Sequence, residues 1–257
     1  MIFRETGNQE LDTIILLHGG GLSYWSLQQQ INYLSQKFHV VTPIIDGHGE
    51  DGNTTFISIE DSADKLIKYI NENHNGKVYA IYGLSLGAQI AIEIISKRKN
   101  IVEFAIIESG LVIPMKNITT LSLFMQKILY RLISQKWFAK IQAKTLNIPE
   151  NMFENYYKDS QSISKQSLIN STYSNGNFYP KEHLKETNAK VLIIVGSKEL
   201  KIMKKSAQVL KKTIPKSTLY IAEGMNHGGI SLIHYQKHLE IIESFFCTNS
   251  VDEVAQE

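Results

Sequence analysis

One serine of this chain stands in a turn that suits a nucleophile. The five residues Gly83-Leu84-Ser85-Leu86-Gly87 lie between an apolar run, 78–82, and a segment of helical periodicity, 88–95. A strand-to-helix turn of this kind presents a serine hydroxyl for attack, and its two glycines allow backbone approaches that a Cβ would block. The helix that follows points its free N–H groups toward the serine, where negative charge develops when a carbonyl is attacked. The pattern predicts that Ser85 is a nucleophile.

A base for this serine must come from one of the eight histidines. A serine hydroxyl is a poor nucleophile until a base takes its proton, and a carboxylate must orient that base. In chains with this type of turn the order is serine, acid, histidine, which excludes the four histidines that precede it: His18, His39, His48 and His74. His227 follows the last predicted strand in a glycine-rich loop, 223–229. We predict that His227 is the base.

Two later histidines have another chemistry open to them. His234 and His238 are four residues apart on the last predicted helix and share one face, a spacing that can hold a metal ion when a third ligand is near. The sequence offers no third ligand nearby, so we expect two surface histidines and no metal site. His183 lies at the end of the long helical region and has a weaker claim than His227 to be the base.

Two glutamates compete to orient His227. Glu199 follows a predicted strand in the sequence Gly196-Ser197-Lys198-Glu199, and it leaves the sheet one strand before His227. Glu108 ends another predicted strand and points toward the same edge. Either carboxylate can accept the imidazole N–H and stabilise the imidazolium, although Glu199 also stands in a lysine-rich segment where a solvated charge is common. We predict Glu199 as the acid and keep Glu108 as the alternative.

An oxyanion formed at Ser85 needs N–H donors. The loop His18-Gly19-Gly20-Gly21 directly follows the first predicted strand, and its glycines expose backbone N–H groups. The second donor is the N–H of Leu86, the residue after the nucleophile. The loop has neither the GxGxxG spacing nor the Lys-Ser/Thr pair of a phosphate site. We therefore predict an oxyanion hole formed by Gly20, or Gly21, and Leu86.

These residues must be positioned by an α/β fold, because short β-branched runs alternate with longer helical patterns. Most of the runs are apolar throughout, as expected for strands covered on both faces. The sequence predicts a mostly parallel, doubly wound sheet. The predicted strands are 13–17, 39–42, 77–82, 102–107, 190–195 and 218–222, and the predicted helices are 25–36, 58–73, 85–97, 203–213 and 230–246.

The alternation of strands and helices fails between about residue 112 and residue 188. This interval has helical periodicity, for example in 121–129, and no convincing strand. We predict a core formed by 1–111 and 189–257, and a helical insertion formed by 112–188. The insertion is rich in large apolar residues, most of which we expect to pack it onto the core, with a few lining a pocket: Phe124, Met125, Trp137, Phe138, Met152, Phe153, Tyr156 and Tyr157.

Composition excludes several classes of protein. Lysine and arginine number 27 against 25 for aspartate and glutamate, a net charge of +2, which gives no bulk electrostatic case for nucleic acid or an anionic membrane. The single cysteine, Cys247, excludes an internal disulfide framework and a cysteine-rich metal site. The first residues do not read as a signal peptide, and no segment is apolar enough to span a membrane. We expect a cytoplasmic protein of one domain with an insertion, and the sequence does not indicate its oligomeric state.

With these residues in place, the chain resembles the α/β-hydrolase fold family over nearly all of its length. The loop 18–21 looks like the oxyanion loop, 83–87 like the nucleophile elbow, 196–199 like the acid loop, and 226–228 like the histidine loop. A fifth segment, Asp46-Gly47-His48-Gly49-Glu50, is similar to a turn found after an early strand in many members, where its role is structural. Two features depart from the usual pattern: Glu199 stands where aspartate is usual, and the N-terminus is too short for more than abbreviated antiparallel strands.

The resemblance implies a cap-bearing serine esterase. The insertion 112–188 would be the cap over the active site, and Ser85 would cleave a carboxylic ester of a small apolar substrate through an acyl-enzyme, without a cofactor. The same fold also supports C–C or thioester hydrolysis, acyl transfer and lyase reactions. A binding protein that keeps the fold without useful turnover is a further alternative.

Overall fold

A seven-stranded sheet forms the centre of the structure, a computed structural model that describes residues 1–254, with side chains described through residue 247. The strands are β1 (Ile2–Thr6), β2 (Thr13–Leu17), β3 (His39–Ile44), β4 (Val78–Leu84), β5 (Val102–Glu108), β6 (Lys190–Gly196) and β7 (Ser217–Ala222). Their order across the sheet is β1-β3-β2-β4-β5-β6-β7. Only β1 is antiparallel to its neighbour, and every other pair is parallel. The predicted sheet is confirmed, with one short antiparallel strand at its edge.

Helices cover both faces of this sheet. They are α1 (Gln28–Leu34), α2 (Ile59–Asn73), α3 (Leu86–Lys97), α4 (Lys116–Leu129), α5 (Lys136–Thr145), α6 (Phe153–Ser160), α7 (Lys165–Asn177), α8 (Lys201–Thr213), α9 (Gly229–Leu232) and α10 (Tyr235–Val254). Alternate side chains of β2 belong to different cores: Ile15 packs with α2, α3 and α8, whereas Ile14 packs with α1 and α10. This two-sided burial explains why the strands lack polar alternation.

The last predicted helix is broken in the structure. A short helix, α9, ends at Leu232, and α10 begins at Tyr235, so His234 lies between the two helices. His238 lies on α10, but its side chain is fully buried rather than at the surface. The expectation of two surface histidines is therefore wrong for His238, because this part of α10 packs against the sheet and its face is not open to solvent.

Helices α4 to α7 fill the interval between β5 and β6, together with short turns at Tyr130–Leu132, Glu150–Met152 and Glu182–Glu186. Within this interval α4 and α7 approach closely at Gly176. A Cβ added to this glycine would lie 1.9 Å from the hydroxyl oxygen of Thr119. The interval is tied to the core through Ser167, whose hydroxyl accepts the Phe56 N–H at 3.1 Å. These contacts hold α7 against α4 and against the segment that follows β3.

Several large apolar residues of this interval do not pack against the core. Phe124, Met125 and Trp137 are exposed, while Tyr156 is buried. The expectation that most of the set attaches the insertion to the core is wrong for these three. They lie on the outward faces of α4 and α5.

Candidate active site

Ser85 occupies a strained turn between β4 and α3. It is the N-cap of α3, with φ +54° and ψ −108°, a conformation that residues other than glycine rarely adopt. Its backbone N–H donates to the Glu108 carbonyl oxygen at 2.9 Å. A Cβ on Gly83 would lie 2.3 Å from the Gly87 carbonyl oxygen, and a Cβ on Gly87 would lie 2.5 Å from the Leu17 carbonyl oxygen. The turn therefore requires both glycines, and it directs Ser85 away from the sheet.

His227 and Glu199 meet at the same edge of the sheet. The Nδ1 atom of His227 lies 2.8 Å from Oε2 of Glu199. The carboxylate accepts this hydrogen bond, so Nδ1 carries the proton and Nε2 is left free to accept one. The His227 side chain is 35% exposed, and that of Glu199 is 1% exposed. Only the ring can therefore reach a substrate.

Ser85 and His227 line one cavity of about 40 Å³. Among the described residues, no hydrogen bond joins the Ser85 hydroxyl to the His227 ring. Catalytic hydrogen bonds in unliganded sites are often long, and they tighten when substrate binds. Apart from these two side chains, the lining is glycine and aliphatic: Gly19, Gly20, Leu22, Leu84, Leu146, Ile148, Gly228 and Leu232. The cavity therefore combines one hydroxyl and one imidazole with uncharged walls.

Two further groups hold the Glu199 carboxylate. Its Oε1 atom accepts the Gly196 N–H and the Ser109 hydroxyl, each at 2.8 Å. Burial alone would raise the pKa of Glu199, but the hydrogen bond from His227, with those from Gly196 and Ser109, lowers it below its usual value. Glu199 is therefore an ionised acceptor for His227 at neutral pH.

Sequence reasoning did not find Ser109. This residue directly follows β5 and has φ +54°, so its backbone is held in an uncommon conformation. A polar residue immediately after a strand on the edge that carries Glu199 was the signal that could have identified it.

Glu108 lies in a different cluster. Its carboxylate accepts the Tyr82 hydroxyl at 2.7 Å and the Ser231 hydroxyl at 3.0 Å, and Nε2 of His238 lies 3.5 Å away. Burial raises the pKa of Glu108 to about 7, although the two hydroxyl donors oppose this shift. Burial also lowers the pKa of His238 to about 3, so that ring is neutral near pH 7. The structure brings Glu199, and not Glu108, into contact with His227.

The loop after β2 faces the first turn of α3. A Cβ added to Gly20 would lie 3.6 Å from Cβ of Leu86, so the two predicted oxyanion donors are neighbours. His18 holds the loop from behind, because its Nδ1 lies 2.9 Å from the Gly19 carbonyl oxygen and its Nε2 accepts the Ile45 N–H at 3.1 Å. Burial lowers the pKa of His18 to about 3, so its ring is neutral near pH 7 and positions the loop through these two contacts.

A second cavity, of about 60 Å³, lies between the loops after β2 and β3 and the insertion. It shares Leu22 with the cavity at Ser85, and it is also lined by His48, Tyr156 and Asp159. Nδ1 of His48 lies 3.0 Å from the Asp46 carbonyl oxygen, and its buried Nε2 has no partner among the described residues. The turn 46–50 thus contributes to the wall of a recess beside the oxyanion loop.

Two other kinds of site are absent from the described part of the chain. No three His, Cys, Asp or Glu residues there are grouped so that they could hold a metal ion. Of the helices described, none is both long enough and apolar enough to cross a bilayer.

Comparison with solved structures shows the same fold in several enzymes. A carboxylesterase of the ammonia-oxidizing thaumarchaeon Nitrososphaera gargenis superposes with a TM-score of 0.81 at 19% identity, covering 98% of this chain and 95% of the other. An esterase of Exiguobacterium antarcticum has a TM-score of 0.80 at 17% identity, with 95% and 94% of the two chains covered. A bromoperoxidase of Bacillus anthracis gives the same TM-score, identity and coverage as that esterase. At these identities the likeness shows the fold alone, because one fold can support different activities, as the names of these three enzymes illustrate.

A comparison with curated proteins finds no match. A family model, described as serine aminopeptidase S33, matches residues 8–231 and so includes the turn at Ser85, the loop at Glu199 and the loop at His227. The match spans most of the chain. The chain therefore belongs to the serine aminopeptidase S33 family of α/β hydrolases and is a hydrolase.

Proposed function

We propose that this hydrolase cleaves a carboxylic ester of a small apolar substrate through an acyl-enzyme on Ser85. The observation that carries the proposal is the cavity at Ser85, which combines a serine and a histidine with walls of glycine, leucine and isoleucine. A buried charged group needs a partner of opposite charge, and no acid lines this cavity. An uncharged acyl group fits such walls.

In the proposed first step, Nε2 of His227 takes the proton of the Ser85 hydroxyl as the oxygen attacks the ester carbonyl. The N–H groups of Gly20 and Leu86 hold the oxyanion. His227 then gives its proton to the leaving alcohol, and the C–O bond breaks. In the second step a water replaces the alcohol: His227 takes its proton, the acyl-enzyme is hydrolysed and Ser85 recovers its proton from His227.

Glu199 has the role of orienting His227 in this proposal. Its carboxylate accepts the Nδ1–H and stabilises the imidazolium that forms when the serine proton is transferred. Ser109 and the Gly196 N–H fix the other carboxylate oxygen, so the acid cannot rotate freely. Ser109 is thus a positioning residue that acts through Glu199.

The ester is favoured over a peptide with a free amino terminus, although the family model carries the name of an aminopeptidase. An aminopeptidase must bind the substrate ammonium close to the bond that is cut, and a carboxylate is the usual partner for a buried ammonium. Glu199 already accepts three hydrogen bonds from the protein. It is therefore not available to bind an ammonium group.

The test compares p-nitrophenyl acetate and p-nitrophenyl butanoate with alanine p-nitroanilide. We expect turnover of both esters, little turnover of the anilide, and a fluorophosphonate label on the peptide that contains Ser85. Ser85→Ala should lower kcat by about 10⁴-fold or more, because removing a member of such a triad removes the covalent route. Retained turnover in Ser85→Ala, or a label on another residue, would show that the proposal is wrong.

A further inference from the structure

An exposed apolar stripe runs along α4. Its members recur every three or four residues, so they share one face of the helix, and they are between 43% and 62% exposed: Ile118, Leu121, Phe124, Met125 and Ile128. The opposite face carries Thr119, which is buried close to Gly176 of α7. The stripe therefore points away from the rest of the protein. A contiguous group of large apolar side chains at a protein surface is typical of a site that binds a protein, a ligand or a membrane.

Helix α5 presents a second face of the same character. Trp137 and Ile141 are four residues apart and are both exposed. Lys140 and Lys144 have the same spacing and lie on this exposed side, while Ala139 and Ala143 are buried on the opposite side. The outward face of α5 thus alternates large apolar residues with lysines.

The charges of this region all have one sign. Residues 116–149 contain six basic residues and no aspartate or glutamate, namely Lys116, Lys127, Arg131, Lys136, Lys140 and Lys144. The whole chain carries only +2, so these cations belong to a molecule that is acidic elsewhere. Lys136 pairs with Glu154 at 2.7 Å, whereas the other five form no ion pair with any described residue. Lys140 lies over the Phe153 ring, 5.9 Å from its centroid, and the positive charges of all five remain without an acidic partner among the described residues.

We propose that the outward faces of α4 and α5 bind the surface of an anionic lipid bilayer. Apolar side chains of an interfacial helix enter the boundary between headgroups and acyl chains, and lysine and arginine beside them contact the lipid phosphates. Neither helix is suited to spanning the bilayer. Binding through these two outward faces leaves the core of the enzyme in water.

Two other partners fit the face less well. A second copy of the chain docked through the same helices would bring cations against cations, with no acid in 116–149 to pair with them. Nucleic acid would satisfy the cations, but its phosphate backbone leaves five large apolar side chains of α4 in water. An anionic bilayer, unlike these two partners, offers both an apolar layer and negative charge.

Helix α5 separates its outward face from the cavity at Ser85. Leu146, at the end of α5, is 42% exposed and also lines that cavity. By helical periodicity Leu146 lies on the same side of α5 as the buried Ala139 and Ala143, opposite Trp137, so the outward face and the cavity at Ser85 are on different sides of this helix. The binding proposal goes beyond the proposed ester hydrolysis and does not depend on it.

The test is co-sedimentation of the full chain with lipid vesicles. One set is phosphatidylcholine alone, and the other is phosphatidylcholine mixed with an equal amount of phosphatidylglycerol. We expect binding to the mixed vesicles, little binding to phosphatidylcholine, and weaker binding at high salt, because screening reduces attraction to the anionic surface. Ser85→Ala should bind as the unmodified chain does, which separates this result from the fate of the proposed chemistry.

Two double variants address the two components of the face. Leu121→Gln with Phe124→Gln should weaken binding by about tenfold or more, because both side chains are exposed in the free protein and enter the bilayer only on binding. Lys140→Gln with Lys144→Gln should weaken binding by roughly fivefold for each charge removed. Turnover of a water-soluble ester should stay unchanged in both, because none of these residues lines the cavity at Ser85.

Matched controls lie outside the insertion. Ile57→Gln removes an apolar side chain that is 54% exposed, and Lys205→Gln with Lys212→Gln removes two exposed cations of α8. Neither control should change vesicle binding. The proposal is overturned by equal binding to both kinds of vesicle, by an equal loss in the controls, or by a dimer in solution that the α4 variants dissociate while vesicles bind nothing.

Discussion

Two glutamates at the ends of neighbouring strands have opposite environments. Glu199 meets a histidine that is partly open to solvent, a backbone N–H and the Ser109 hydroxyl, and its pKa is lowered. Glu108 meets two hydroxyls in a closed interior, and burial raises its pKa to about 7. Both side chains are almost completely buried.

The difference shows that burial alone does not decide what a carboxylate can do. A carboxylate that accepts a hydrogen bond from an ionisable ring can stabilise a positive charge on that ring. A carboxylate bound by hydroxyls beside a neutral histidine serves mainly to satisfy buried polar atoms. The chain uses one glutamate in each way, Glu108 at the last position of β5 and Glu199 in the loop after the neighbouring strand β6.

The strongest test of this comparison replaces each glutamate by glutamine. Glu199→Gln should lower kcat for a p-nitrophenyl ester by about 10³- to 10⁴-fold, because an amide does not stabilise the imidazolium. Glu108→Gln should lower kcat by less than about tenfold, since glutamine can accept one of the two hydroxyls through its carbonyl oxygen and donate its NH2 to the other. Steady-state kinetics of both variants, with folding checked by circular dichroism, measures the contrast. Equal losses would mean that the two carboxylates are not distinguished by their partners.

A smaller effect concerns stability and pH. The folded-state pKa of Glu108, about 7, lies above its ordinary value of 4.5, so the folded protein holds this proton more tightly than the unfolded chain. The stability that follows is present below about pH 4.5 and is lost as the pH rises toward 7, a loss of about 3 kcal/mol. His18 and His238, whose pKa values are lowered to about 3, act in the opposite direction between pH 3 and 6.5.

The measurement must therefore compare two proteins. Urea denaturation of the unmodified chain and of Glu108→Gln at several pH values between 4.5 and 7 removes the histidine contribution that both share. We expect the unmodified chain to lose stability relative to the variant as the pH rises. A difference that does not change with pH would show that Glu108 titrates normally, and the contrast with Glu199 would then be only one of partners.

The parts of the site that depend on turn chemistry and on the order of the strands could be predicted from the sequence. Ser85 between glycines, a glycine loop after β2, and an acid and a histidine after later strands follow from turn chemistry and strand order. The sequence favoured Glu199 as the acid and kept Glu108 as the alternative, because both come at the carboxyl ends of parallel strands at one edge. Their separation depends on side-chain partners from distant segments, such as Tyr82 and Ser231.

Other features depended on packing that a pattern does not show. His238 looked like a surface residue, yet α10 buries it against Glu108. Phe124 and Trp137 looked like packing residues, yet they are exposed, because hydrophobicity in an insertion does not say which neighbour covers it. The net charge of the whole chain likewise does not indicate where the charges lie. It is only +2, yet residues 116–149 contain six basic residues and no aspartate or glutamate.

The smallest expected effect tests whether the partners of each glutamate matter separately. Ser109→Ala removes the hydroxyl that donates to Glu199, and Ser231→Ala removes one that donates to Glu108. Ser109→Ala should lower kcat/KM by about tenfold, the scale of one hydrogen bond to a charged group. It should also raise the pKa of Glu199, so activity should be lost at a higher pH on the acid side. Ser231→Ala should change neither quantity, and Ser109→Thr, which keeps a hydroxyl, should recover part of the loss. If Ser109→Ala lowers activity without moving the acid side of the pH profile, the hydroxyl supports the fold around β5 rather than the charge of Glu199.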